Sequence, residues 1–283
     1  RIRTFIRRHP SVALGGVLVR NGARDRHALS CYVALVLGAC GIVAFGAFTL
    51  GAPWQLAFVA IKLGTFGLLL PIYFTVCHRM VPFFSKNATA PGYRMYRPDW
   101  SLPTVWLLLL GHLALDLTHR QDWLWLVDVP LAAVFALHWI AWQPWKCLRP
   151  GLLGALYIGF AWLPIAFILY SVQSLLDFMG QGFLLGRAPM HALAIGFFGS
   201  MLVAMVTRVT QGHSGRPLEM GAIPWLTFVL LQFVTLARLW AEFSPDAGLW
   251  LVIAAFGWLV AFLPWVLRSL WIYVTPRLDG QPG

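Results

Sequence analysis

Eight histidines and a scatter of arginines are the residues of this chain that could hold a metal or an anion. The densest group lies in HALAIGFFGSMLVAMVTRVTQGHSGRPL, from His191 to Leu218. It opens on His191, runs through sixteen uncharged residues, and leaves that apolar phase on Arg208, His213 and Arg216. Imidazoles ligate metals and guanidinium groups pair with carboxylates, so the pattern points to a metal or a bound anion at the end of a membrane helix. Plain anchoring of a helix by flanking positive charge gives the same pattern and stays open. His78 and Arg79, in CHRMVPFFSKNA, form a second imidazole–guanidinium neighbourhood.

The elements that must position these groups are membrane helices. Of the 283 residues, 59% are hydrophobic and 11% charged, against roughly 25% charge in soluble domains. The expected fold is all-α, a polytopic transmembrane bundle, because helices satisfy their own backbone groups in lipid. Eight spans are expected near 29–50, 54–76, 101–118, 121–143, 152–178, 188–208, 219–241 and 247–272. Residues 1–28 form a basic cytoplasmic or interfacial segment, and 29–283 one transmembrane domain. The chain opens on Arg1 without a signal-peptide pattern, which suggests that N-terminal spans are missing. No convincing repeat is visible.

Basic residues set the orientation. The loops 1–28, 77–100, 144–151, 208–218 and 268–283 hold seventeen Lys or Arg, whereas the opposite loops hold only Arg120 and Arg187. The first set is expected to be cytoplasmic, with both ends of the chain inside. The net charge of +11 lies in these short loops, so it is a topology signal and offers nucleic acid no continuous face. The lipid bilayer is the expected partner.

That topology puts His78, His138 and His213 in one layer with Arg79, Arg208 and Arg216, and His191 at the opposite face. His191 and Arg208 are seventeen residues apart, roughly 25 Å along a helix, so one metal cannot bind both layers. His78 is expected just after the second span and His213 in the loop after the sixth. His9 and His27 are expected to be solvated, and His112 to satisfy Asp116 at i,i+4. Lys62 inside a span is expected to pair with Asp116 or Asp128, and Arg238 with Glu242. Met201 and Met205 read as core. Cys31, Cys40, Cys77 and Cys147 include no CxxC and no CxxCH, and GxSxG, P-loop, HExxH and Rossmann patterns are also missing. A soluble-type hydrolase is unsupported, and whether the protein is an enzyme stays open.

Three stretches, HRMVPFFS at 78–85, HALAIGFFGSMLVAMVTRVTQGHSGRPL at 191–218 and PRLDGQPG at 276–283, together resemble the NnrS family of bacterial membrane proteins. The resemblance runs over most of the chain, which looks like the C-terminal two thirds of a family with about a dozen spans. It implies a haem- and copper-containing protein of the bacterial inner membrane, linked to nitric oxide metabolism and nitrosative stress. The matching positions are His78, Arg79, Pro82, His191, Arg208, Gly212, His213, Gly215 and Arg216. Where many relatives read Leu-His at the start of the fifth span, this chain has Tyr157, expected to be a hydrogen-bonding residue, with a phenolate ligand to ferric haem as the alternative.

The expected cofactors are therefore haem b, which needs no CxxCH, and copper. His78 and His138 are the first choices for a site near the cytoplasmic face, with His213 as ligand or hydrogen-bond donor. Arg79, Arg208 and Arg216 would hold propionates. His191 would serve the separate outer site, with copper as its candidate metal. Nitric oxide or a related small molecule is the expected ligand. The alternative from the residues alone is a transporter of small anions or metal ions, using Lys62, Asp116, Asp128 and Arg238 as its polar path.

Overall fold

The computed structural model describes residues 25–88, 92–149 and 151–280. His9 and most of the basic segment expected at 1–28 lie outside the described residues, as do the last three residues of PRLDGQPG. The described residues fold into helices, with no strand among them. Six helices are long and apolar enough to cross a membrane: α1 (Arg26–Thr49), α2 (Gln55–Ala88), α5 (Gly151–Phe178), α6 (Ala188–His213), α7 (Ala222–Ala241) and α8 (Ala247–Val274). Two apolar helices of 17 residues, α3 (Ser101–Leu117) and α4 (Trp125–Ala141), stand where two more spans were expected. At 1.5 Å per residue they reach about 25 Å, somewhat short of a hydrocarbon core of about 30 Å.

Asp25 starts α1 as its N-cap, accepting the amide hydrogens of His27 and Ala28 at 3.0 and 3.3 Å. Its carboxylate takes up two amides that a helix start leaves without an internal partner. The helix therefore begins at Arg26 and includes His27, ahead of the apolar run.

Two of the spans carry π-helical stretches, Leu63–Leu69 in α2 and Ala192–Gly199 in α6. Each follows a polar residue, Lys62 or His191. α2 also runs through Pro82 to Ala88, so His78 lies inside a helix instead of in a loop. α6 likewise continues past Arg208 and ends on His213. In both cases the charged residues end the apolar window but not the hydrogen-bonded helix, because long basic side chains can reach polar surroundings from helical positions.

The contacts divide the chain into two compact units. One comprises the described residues up to Met80 together with Arg97–Arg120; the other comprises Val81–Tyr96 and the chain from Gln121 onward. In the first, α1 carries a stripe of small buried residues, Ser30, Ala34, Gly38 and Gly41, of which Gly38 and Gly41 lie against the π stretch of α2 and Ser30 meets Thr75 beyond it. In the second, α5 and α6 are the most enclosed spans. They approach closely where Gly159 faces Ser200 and Gly196 faces the Trp162 ring, so a Cβ at either glycine would fall within 2.9 Å of a neighbour. Small residues permit such approach between membrane helices. Trp162 then donates to Gln232 at 2.6 Å, and Gln232 to Ser200 at 2.9 Å, which ties α5, α6 and α7 together. By contrast, α1 and α8 leave most of their apolar side chains uncovered, Ile42 and Val252 among them. That is the surface expected to face lipid.

Candidate functional site

In the first unit the capped start of α1 brings His27 against His78 of α2. His27 Nε2 and His78 Nδ1 are 3.1 Å apart, and the two rings stack with centroids 5.3 Å apart. His78 is 2% exposed and also touches Phe74. Asp25 Oδ1 stands 3.6 Å from His27 Nδ1, behind the pair, and Arg79 donates to Asp25 Oδ2 at 3.2 Å. Partial burial acts to raise the Asp25 carboxyl, but the Ala28 and His27 amides and the Arg79 guanidinium outweigh it and hold it below its usual value. Arg26 donates to the Asp99 carbonyl at 2.9 Å. These groups, with Arg97, line a cavity of about 510 Å³.

His27 was expected to be a solvated tail residue, and sequence reasoning missed its part in this site. The signal was present. The buried stripe of α1, read back from Ser30 by three residues, lands on His27.

The second unit holds the other expected residues in separate surroundings. His138 is fully buried on α4, and its Nδ1 lies 2.7 Å from the Val134 carbonyl. A carbonyl only accepts, so Nδ1 carries the proton and Nε2 the lone pair. The Tyr96 and Trp142 rings pack edge-on against this imidazole, each with its centroid 5.6 Å away. Arg208 lies over the Phe84 ring, its guanidinium carbon 3.8 Å from the centroid. It lines a cavity of about 560 Å³ together with Arg149 and Trp225. His213 lines a third cavity of about 310 Å³, beside Tyr273 and Arg277. Arg216 donates to Thr275 Oγ1 at 3.3 Å. In the first unit His78 and Arg79 share one cavity, and in the second Arg208 and His213 line two others.

His191 meets Arg238 at 2.7 Å through Nε2, with Glu242 Oε1 3.7 Å away. A guanidinium only donates, so Nε2 is the acceptor and the proton sits on Nδ1. His191, expected to serve an outer site, thus lies in a cluster with Arg238 and Glu242. Lys62 Nζ lies 2.6 Å from Asp116 Oδ2, as a structural pairing would have it, and His112 Nε2 lies 4.0 Å from the same oxygen.

Tyr157 is not poised as a phenolate ligand. Its hydroxyl is 2.6 Å from the Trp142 carbonyl, to which it donates, and 2.8 Å from Ser85 Oγ. Gly215, within HSGRP, has φ +67°, and a Cβ there would meet the Asp279 carboxyl at 2.7 Å. Backbone geometry alone calls for glycine at that position.

The fit of a metal can be judged from the imidazole pair. Nitrogens bound to one metal at about 2.0–2.1 Å and 3.1 Å apart subtend an angle of about 100° at it. His27 and His78 therefore fit two adjacent ligands of a copper-type ion. They do not fit the two faces of one haem, which would need nitrogens about 4 Å apart at the same bond lengths. Among the described residues no three His, Cys, Asp or Glu side chains gather as a ready-made metal site.

No curated protein and no solved structure matches the chain. The sequence model of one family, described as NnrS protein, matches residues 11–277. That match spans all eight helices and both histidines of the stacked pair, and on it the chain belongs to the NnrS family.

Proposed function

We propose that this multi-pass membrane protein binds copper through His27 and His78 and haem through His138, and acts in nitric oxide metabolism or the response to nitrosative stress. The observation that carries the reading is the 3.1 Å approach of two imidazole nitrogens in a cavity of small-ligand size. Asp25 behind His27 is placed like the carboxylates that orient metal-binding imidazoles through their other nitrogen. Copper held there would supply a centre that exchanges one electron and takes a small ligand such as nitric oxide. Arg26, Arg79 and Arg97 line the same cavity and favour an anionic co-ligand or product.

The haem assignment rests on the family and on the protonation of His138, whose Nδ1–H is engaged by Val134 and whose Nε2 has the lone pair that iron requires. Of the three arginines considered for propionates, Arg208 and Arg216 belong to the unit that holds His138, whereas Arg79 lines the cavity of the copper pair.

The test is metal analysis with a reduced-minus-oxidised visible spectrum on the full-length protein in detergent. His27→Ala and His78→Ala should each remove the copper, and His138→Ala should remove a b-type α-band while copper stays. Copper retained in both His27→Ala and His78→Ala would overturn the copper site. A preparation with neither copper nor haem after gentle purification would overturn the reading as a whole.

A further inference from the structure

The two π-bearing spans, α2 and α6, share one local plan with the chain just beyond them. Counted from Lys62 and from His191, a glycine follows at five residues (Gly67, Gly196), an arginine at seventeen (Arg79, Arg208) and a serine at twenty-three (Ser85, Ser214). The π-helical stretch begins immediately after the starting residue in both cases. The starting residue also pairs with a charged side chain on the next span of its own unit, Lys62 with Asp116 and His191 with Arg238. Both π-bearing spans lead to a cavity bounded by the same three parts: the start of the preceding span, the arginine, and the entry to the following span. In the first unit these parts supply His27, Arg79 and Asp99; in the second they supply Leu152, Arg208 and Glu219.

The second cavity keeps the arginine and loses the imidazoles. The position matching His78 is Thr207, whose hydroxyl accepts from the Trp265 indole at 2.9 Å. Among the described residues Arg208 makes no ion pair or side-chain hydrogen bond, and the Phe84 ring is what it packs on. Arg149 stands exposed at the same cavity, and Leu153 and Trp225 give it apolar walls. A half-buried guanidinium held on an aromatic face, in a cavity that it shares with Arg149, Glu219 and apolar walls, retains its donors for a planar or tetrahedral anion.

We propose that the chain is a tandem of two such repeats and that the Arg149–Arg208 cavity is a phospholipid site, taking the phosphate of an anionic headgroup. Basic cavities between membrane helices hold such headgroups, and the apolar walls accommodate the start of an acyl chain. The site is independent of any metal at His27 and His78.

The test uses the full-length protein as purified, exchanged into nanodiscs of phosphatidylcholine with graded phosphatidylglycerol, with retained phosphatidylglycerol counted by native mass spectrometry. Arg208→Gln should weaken retention about five- to tenfold, and Arg208→Lys should restore part of it. Ala88→Trp, an exposed position at the cavity, should block retention without removing charge. If Arg208→Gln does not yield folded protein, Ala88→Trp carries the test. Retention unchanged in a folded Arg208→Gln or in Ala88→Trp would overturn the proposal. So would displacement of the lipid by an equal concentration of inorganic phosphate, which would make this a free-phosphate site. Copper content, measured in parallel, should stay constant in all three variants.

Discussion

Lys62 Nζ and Asp116 Oδ2 meet at 2.6 Å, joining α2 to α3 by an ion pair whose carboxylate side chain is 2% exposed. Lys62 also lies 5.1 and 5.8 Å from the Phe58 and Phe66 ring centroids, so its ammonium is held by charge and by aromatic faces. Removing one partner of a buried pair leaves the other charge without compensation. Asp116→Asn should therefore destabilise the protein by about 3 kcal/mol, seen as a lower midpoint in thermal unfolding in detergent. The double variant Lys62→Met with Asp116→Leu should recover most of that loss. A double variant no more stable than the single one would mean that the pair does more than neutralise itself.

Asp25 combines two roles that substitution can separate. Its folded-state pKa lies below the ordinary 3.8, because the cap and Arg79 favour the charged form. Its contribution is thus complete above pH 3.8 and fades as the pH falls through the lower folded value. Asparagine keeps the cap and loses the charge, so Asp25→Asn should leave helicity unchanged at neutral pH. Asp25→Ala should cost about 1 kcal/mol. Hydrogen exchange at the Ala28 amide is the measurement, with faster exchange expected in Asp25→Ala alone.

Tyr157 offers a control for the metal assignments. Tyr157→Phe removes the donor to Trp142 and the contact with Ser85, and leaves a buried carbonyl short of a partner, for a loss of about 1–3 kcal/mol. Copper and haem content should not change. Metal loss at full thermal stability would instead make Tyr157 a ligand.

Gly196 probes the α5–α6 approach. A Cβ there would sit 2.7 Å from the Trp162 ring, forcing that indole off its bond to Gln232. Gly196→Ala should lower the unfolding midpoint by the equivalent of about 1–3 kcal/mol, as overpacking does. Adding Trp162→Phe, which opens space, should return part of the loss.

How far the sequence reveals this molecule depends on what each residue depends on. Eight apolar segments are legible because hydrophobic length is a local property, and the helices stand where those segments lie. Helix ends are less legible: α2 and α6 continue past Arg79 and Arg208, where charge marks the end of apolar sequence and not of the hydrogen-bond ladder. The Lys62–Asp116 pairing could be expected from the scarcity of charge in spans, whereas the Arg238–His191 bond could not, since i,i+4 spacing favoured Glu242. His27 was hidden by its basic neighbours. The repeat was hidden because few positions agree in type while the shared π-helical geometry is invisible in composition.

The π-helical stretch of α2 has a further consequence for how such a site can arise or vanish. Its wider turns insert extra chain without lengthening the helix in proportion. Deleting one residue between Leu63 and Leu69 would relax that excess toward ordinary α geometry and leave the helix beyond it nearly in phase. The same deletion between Leu70 and Cys77, in plain α-helix, would turn His78 by about 100° and away from His27. The π turns are thus slack that absorbs a change of length, whereas a lost codon nearer His78 would part the stacked histidines without touching any ligand.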